Sequence, residues 1–171
     1  SAYEEAIASG ALNAPQESHG EADPYPGRCL DPHLKAPRIR DLQWHPSILH
    51  ITDLLFGRRT LPFQTIMGHK GSAQPAHSDA IHMTTYPLGF LIANWIAFED
   101  IHPDSGPLFY YPRSHRILPY LLSGDLGVPP KAFKEGQPVY PLYEAALQAY
   151  IDAYGLTPQT FLPRKGDVLF W

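Results

Sequence analysis

His77 and Asp79 stand two residues apart in an apolar run from Ala76 to Met83. Side chains at i and i+2 of a strand share a face, so an imidazole and a carboxylate in this spacing close on one metal ion. A histidine and a carboxylate are two of the three groups in the facial triad that holds non-haem Fe(II) and leaves positions open for co-substrate and oxygen. No third ligand has an obvious spacing. His82 lies three residues past Asp79 and faces the other side of a straight strand, which suits a supporting or structural role unless a bulge at Ala80-Ile81 turns it back. His102 and His115 close strand-like runs in turn-rich segments, where histidines are more often exposed than ligating; either stands as a substitute. Against the metal reading stands the plain one, a polar pair on an exposed strand, since His-x-Asp alone recurs by chance.

The elements that must position this pair are short. Pro46 to Phe56 carries Ile48, Ile51, Leu54 and Leu55 at helical spacing, with Gly57 as its C-cap. A short helix is expected around Tyr3 to Leu12, and Pro15 to Pro37, with four prolines from Pro24 onward, is expected to hold little regular structure. Apolar runs bounded by turn residues follow: Phe63 to Met67, Ala76 to Met83, Phe90 to Phe98, Leu108 to Tyr111 and Asp167 to Trp171. Five such runs read as an antiparallel sandwich or barrel. Between the last two, Tyr143, Ala146, Leu147, Tyr150, Ile151 and Tyr154 recur at helical spacing between Pro141 and Gly155. That tyrosine stripe reads as packing. Glu99 and Asp100 resemble paired acid-base carboxylates, yet they precede a Pro103-Asp104-Ser105-Gly106 turn and read as solvated turn charges. Alternation sets Ala93, Trp95 and Ala97 on one face and Asn94, Ile96 and Phe98 on the other, and Asn94 reads as structural.

Length and composition fit one domain, residues 1–171, with an N-terminal extension over 1–45 and a helical insertion over 116–164. The 19 prolines and 13 glycines favour turns over long helices. A net charge of -4 gives no basic stripe for nucleic acid and no polybasic anchor for a membrane. The longest apolar stretch, Pro87 to Phe98, is broken by Asn94 and too short to span a bilayer. Ser1 to Gly20 lacks the apolar core of a signal peptide, and the lone Cys29 rules out an intrachain disulfide, so a cytoplasmic setting is expected.

The ordered motifs Phe63-Gln64, Ala76-His77-Ser78-Asp79, Trp95-Ile96-Ala97-Phe98-Glu99-Asp100, Ser105-Gly106-Pro107-Leu108, Pro112-Arg113-Ser114-His115 and Lys165-Gly166-Asp167-Val168-Leu169-Phe170-Trp171 resemble the phytanoyl-CoA dioxygenase family of Fe(II)/2-oxoglutarate-dependent oxygenases. Order and spacing over about a hundred residues carry the likeness, not any single motif. The resemblance implies a mainly β fold, a double-stranded β-helix of the jelly-roll, cupin-like kind with flanking helices. It implies His77 and Asp79 as iron ligands and catalytic residues, 2-oxoglutarate as co-substrate, and Trp95 in the co-substrate pocket, where the plainer role is a core aromatic. Gln64 and Met67 are further pocket candidates; three residues apart, only one of them points inward from a straight strand. Ser78 alternates away from the ligands.

Two departures qualify the resemblance. The family's distal histidine and its basic residue for 2-oxoglutarate follow the Gly-Asp-led strand, and this sequence stops at Trp171 before both. Either the chain is incomplete at its C-terminus, or a separate chain supplies the remaining strands, or the iron site is not complete; Gly166 to Trp171 reads as a strand entering a missing segment. Open sheet edges would then invite pairing with a second copy. Arg113 stands where the family usually has glycine, and arginine accepts positive φ poorly, so a different backbone is expected there. The resemblance implies hydroxylation of a small organic substrate. Asp79 argues against the related halogenases, which carry a small residue there, and against cupin-type sites, which want His-x-His. The reading from another class is a jelly-roll binding or interaction module without a working iron centre.

Overall fold

The computed structural model describes residues 2–10, 28–68, 71, 74–79, 85, 89–116 and 139–171. The chain divides into two compact units, Ser1–Ser72 and Ala73–Trp171.

In the first unit, Glu4 and Glu5 in the opening turn suit the positive end of α1 (Ala2–Ala8). The Glu5 carboxylate reaches α2 (Pro37–Gln43), accepting the Arg38 backbone N–H at 3.4 Å while the Arg38 guanidinium pairs with it at 3.1 Å. One of the amides that the first turn of a helix leaves unsatisfied is thereby met. Pro37 opens α2 at a position where its missing N–H costs nothing. Of Pro15 to Pro37, expected to hold little regular structure, residues 15–27 lie outside the described residues; beyond them β1 (Arg28–Leu30) pairs antiparallel with β2 (Ile66–Gly68), Cys29 opposite Met67. A three-residue strand is too short to show alternation, and its distant partner decides it. α3 (Pro46–Phe56) fills its expected span and ends on Gly57 at φ 62°, a left-handed cap. Ala6, Ala36, Ile39 and Met67 form a small core, with Ile7 and Cys29 packed against it.

The second unit is built on a ribbon. β3 (Asn94–Ile96) pairs antiparallel with β6 (Val168–Phe170), and β4 (Phe109–Tyr110) with β5 (Gln159–Thr160). Further backbone hydrogen bonds extend and link the two pairs: Ala93 and Trp171 exchange both backbone bonds at 2.8 and 3.0 Å at the outer end, Ala97 N–H donates to Asp167, Ile101 N–H to Pro163, and Phe161 N–H to Leu108. From Ile101 to Leu108 one arm spends seven positions while the other spends two, and the tight turn Pro103–Ser105 takes up the difference. Gly106 closes that turn at φ 74°, which a Cβ would strain. Asp100 Oδ1 pins the opposite arm by accepting the Lys165 N–H at 2.7 Å, a contact that its reading as a solvated turn charge did not include. The loop of the ribbon carries α4 (Val139–Ala153), which buries Tyr143, Leu147 and Ile151 one turn apart.

The antiparallel pairing is as expected. Among the described residues it takes the form of three two-stranded sheets, and each helix is longer than any strand. Among the same residues no helix is long and apolar enough to cross a membrane.

Candidate metal centre

The strand expected from Ala76 does not form over Ala76 to Asp79. The chain bends at Ala76 and enters a tight turn at Asp79, and residues 80–84 lie outside the described residues. The physical reason is where the backbone finds its partners. Pro75 has no N–H to give, and the Ser78 N–H donates to the Tyr143 hydroxyl of α4 at 2.7 Å instead of to a neighbouring strand. The two side chains converge all the same, with His77 Nε2 lying 3.5 Å from Asp79 Oδ1. Two ligands that each sit about 2.1 Å from one ion and subtend about 90–110° are roughly 3.0–3.5 Å apart, so this spacing accommodates a shared metal.

Each side chain of the pair is also held by a further contact. His77 Nδ1 lies 2.8 Å from the Pro75 carbonyl, which only accepts, so Nδ1 carries the proton and Nε2 is turned toward Asp79. A metal-binding histidine commonly donates its other ring N–H to a backbone carbonyl in this manner. Asp79 Oδ2 accepts the indole Nε1–H of Trp171 at 3.0 Å. The hydrogen bond and charge of Asp79 hold the His77 imidazole above its ordinary pKa against the pull of burial, with the Pro75 carbonyl and the Glu144 charge adding to the rise.

Trp95 sits opposite Leu169 in the ribbon, two positions along from the Ala93–Trp171 pair. Cross-strand partners share a face, so Ala93, Trp95, Leu169 and Trp171 line one side, the side whose indole reaches Asp79. Trp95 also meets Phe161 edge-on, at 5.9 Å between ring centroids. Asn94, opposite Phe170, is on the other side of the ribbon. Gln64 and Met67 belong to the first unit: Gln64 is half-buried just before β2, and Met67 is part of that unit's small core.

Among the described residues no three His, Cys, Asp or Glu side chains gather to hold a metal. His102 caps the turn after it, its Nδ1 accepting the Asp104 N–H at 3.2 Å, and His115 is exposed in the turn Ser114–Arg116. His82 lies outside the described residues. Sequence reasoning assigned no contact to Tyr143, Pro75 or Trp171. The tyrosine read as packing, and nothing local to the His-x-Asp run signals partners 65 and 92 positions away.

A family model described as phytanoyl-CoA dioxygenase (PhyH) matches residues 27–171, beginning inside the stretch expected to be an extension. The mouse protein "Phytanoyl-CoA dioxygenase domain-containing protein 1" is 29% identical over 87 residues, covering 48% of this chain and 30% of the mouse protein. The chain therefore spans about 30% of that relative's length. No solved structure matches.

Proposed function

The chain belongs to the phytanoyl-CoA dioxygenase family, and on that footing we propose an Fe(II)- and 2-oxoglutarate-dependent dioxygenase that hydroxylates a small organic substrate. The observation that carries the reading is the convergence of His77 Nε2 and Asp79 Oδ1, with Nδ1 tied to the Pro75 carbonyl. An imidazole and a carboxylate fit Fe(II) by donor type, and they supply two of the three groups of a facial triad. Bound iron with 2-oxoglutarate supplies the oxidative decarboxylation in which the keto acid and oxygen give succinate and carbon dioxide, and the second oxygen atom goes to the substrate. The chain's own share is geometry and exclusion of water: His77 and Asp79 hold, and the Trp95 face of the ribbon shields and orients the co-substrate.

The jelly-roll reading of the fold draws support from the nesting of the pairs, β3 with β6 around β4 with β5. A jelly roll is an antiparallel ribbon wound on itself. The family match spans both compact units, which favours one oxygenase-like domain.

The test is an anaerobic titration of Fe(II) in the presence of 2-oxoglutarate, followed by the charge-transfer absorption of the keto acid on protein-held iron. Saturation near one iron per chain, lost in His77→Ala, is the expected result, together with loss of succinate formation in Asp79→Ala. Unchanged succinate formation in Asp79→Ala would sink the ligand assignment. A second reading, a binding module built on the same scaffold, is favoured by the absence of a three-ligand cluster among the described residues; it predicts no absorption band at any iron concentration.

A further inference from the structure

We propose that Trp171 is a positioning residue for Asp79, holding one carboxylate oxygen so that the other alone is offered to the metal. The inference rests on the iron reading of His77 and Asp79. The indole Nε1–H donates to Asp79 Oδ2 at 3.0 Å, while Oδ1 is the oxygen that faces His77 Nε2 at 3.5 Å. The two oxygens are thus given different work. An indole N–H suits the task because it only donates: it does not ligate a metal, carries no charge and does not ionise.

The donor is placed by the sheet, not by packing alone. Trp171 is 46% exposed, so solvent reaches its ring and a loosely held side chain would spend much of its time elsewhere. Its backbone, however, exchanges two hydrogen bonds with Ala93, at 2.8 and 3.0 Å, and alternation along the strand then directs the side chain to the face of Leu169 and Trp95. The ribbon therefore fixes the origin of the indole, and the His77-Ser78-Asp79 segment, anchored through the Ser78 amide on Tyr143, fixes its acceptor. A carboxylate held at one oxygen cannot swing to bind a metal through both, which leaves a coordination position for 2-oxoglutarate or oxygen.

The experiment compares wild type with Trp171→Phe, which keeps an aromatic ring and removes the donor. Fe(II) affinity is measured by anaerobic titration, with and without 2-oxoglutarate, and the charge-transfer maximum is recorded beside the thermal midpoint. A loss of about 10- to 100-fold in affinity and a shifted maximum are expected, and the Trp171 change should have no further effect once Asp79→Ala is in place. Affinity within about twofold of wild type with an unmoved band overturns the positioning role while leaving the iron reading standing. Failure of the wild-type chain to bind iron overturns both. A measurement that leaves Trp171 intact guards against misfolding of the variant: among the three indole N–H resonances, that of Trp171 should move in Asp79→Ala, and its staying in place overturns the contact.

Discussion

The Ser78 amide, lying between His77 and Asp79, donates to the Tyr143 hydroxyl at 2.7 Å across 65 positions of sequence. Tyr143 is 3% exposed, so the bond is made where water does not readily replace it. This contact fastens the His77-Ser78-Asp79 segment to α4 and makes that helix part of the scaffold of the proposed site. Tyr143→Phe keeps the ring and leaves a backbone donor without its acceptor, a loss of about 1–3 kcal/mol. For a chain of this size the thermal midpoint should fall by about 2–4 °C per kcal/mol. Iron affinity should fall with it. Scanning calorimetry and the Fe(II) titration check the two effects, and a variant with an unchanged midpoint would show that the hydroxyl carries no weight.

Arg113 takes φ 68°, so the different backbone expected at this turn is not what the structure has. The left-handed conformation that suits glycine is kept, and an arginine is held in it. A non-glycine residue there costs roughly 1–2 kcal/mol, while glycine gives back about 0.5–1 kcal/mol through the unfolded chain's extra freedom. Arg113→Gly should therefore stabilise the protein by up to about 1 kcal/mol, read as a rise in the urea midpoint at unchanged slope. A fall in the midpoint would mean that the Arg113 side chain makes up for the strain.

What the sequence made legible follows the range of the interactions involved. α3 could be read residue for residue because its spacing, its opening proline and Gly57 are all local signals. The face shared by Ala93 and Trp95 could be read because alternation is local as well. The His77-x-Asp79 pairing was legible as residue types at a spacing, but not as a conformation: the strand gives way to a bend because the Ser78 amide finds a hydroxyl on a distant helix. β1 and β5, of three and two residues, exist through their partners and leave no pattern of their own. The five-residue difference between the ribbon's arms is invisible until both arms are in place.

Asp53 gives a pH test remote from the proposed centre. Its Oδ1 accepts the Thr60 N–H at 2.6 Å and the Thr60 hydroxyl at 2.7 Å, tying the end of α3 to the segment beyond Gly57. The Thr60 hydroxyl first, and its amide next, hold the Asp53 carboxyl below its ordinary pKa. A carboxyl depressed in the folded state adds stability above its unfolded value, about 3.9, and that stability is lost as pH falls through the lower, folded value. Asp53→Ala should be less stable than wild type at pH 7, and the gap should narrow as pH is lowered from about 4 toward 3. Urea midpoints at both ends of that range decide it; a gap that stays constant would assign the effect to packing and not to charge.

Trp95 offers the sharpest separation of co-substrate binding from metal binding. It lies on the ribbon face that carries Trp171 to Asp79, while the hydrogen bonds described at the pair run to Pro75 and Trp171. Its ring meets Phe161 edge-on, so part of its surface is committed to packing. Trp95→Leu keeps an apolar side chain on that face and removes the broad ring. If the ring walls the co-substrate pocket, the apparent KM for 2-oxoglutarate should rise several-fold while Fe(II) binding without 2-oxoglutarate stays at the wild-type level. If Trp95 is only a core aromatic, the thermal midpoint should drop and KM should not move. The two quantities are measured on one preparation, and the pattern assigns the residue: a KM effect without a loss of iron binding places 2-oxoglutarate against this face, and a stability effect alone removes Trp95 from the site.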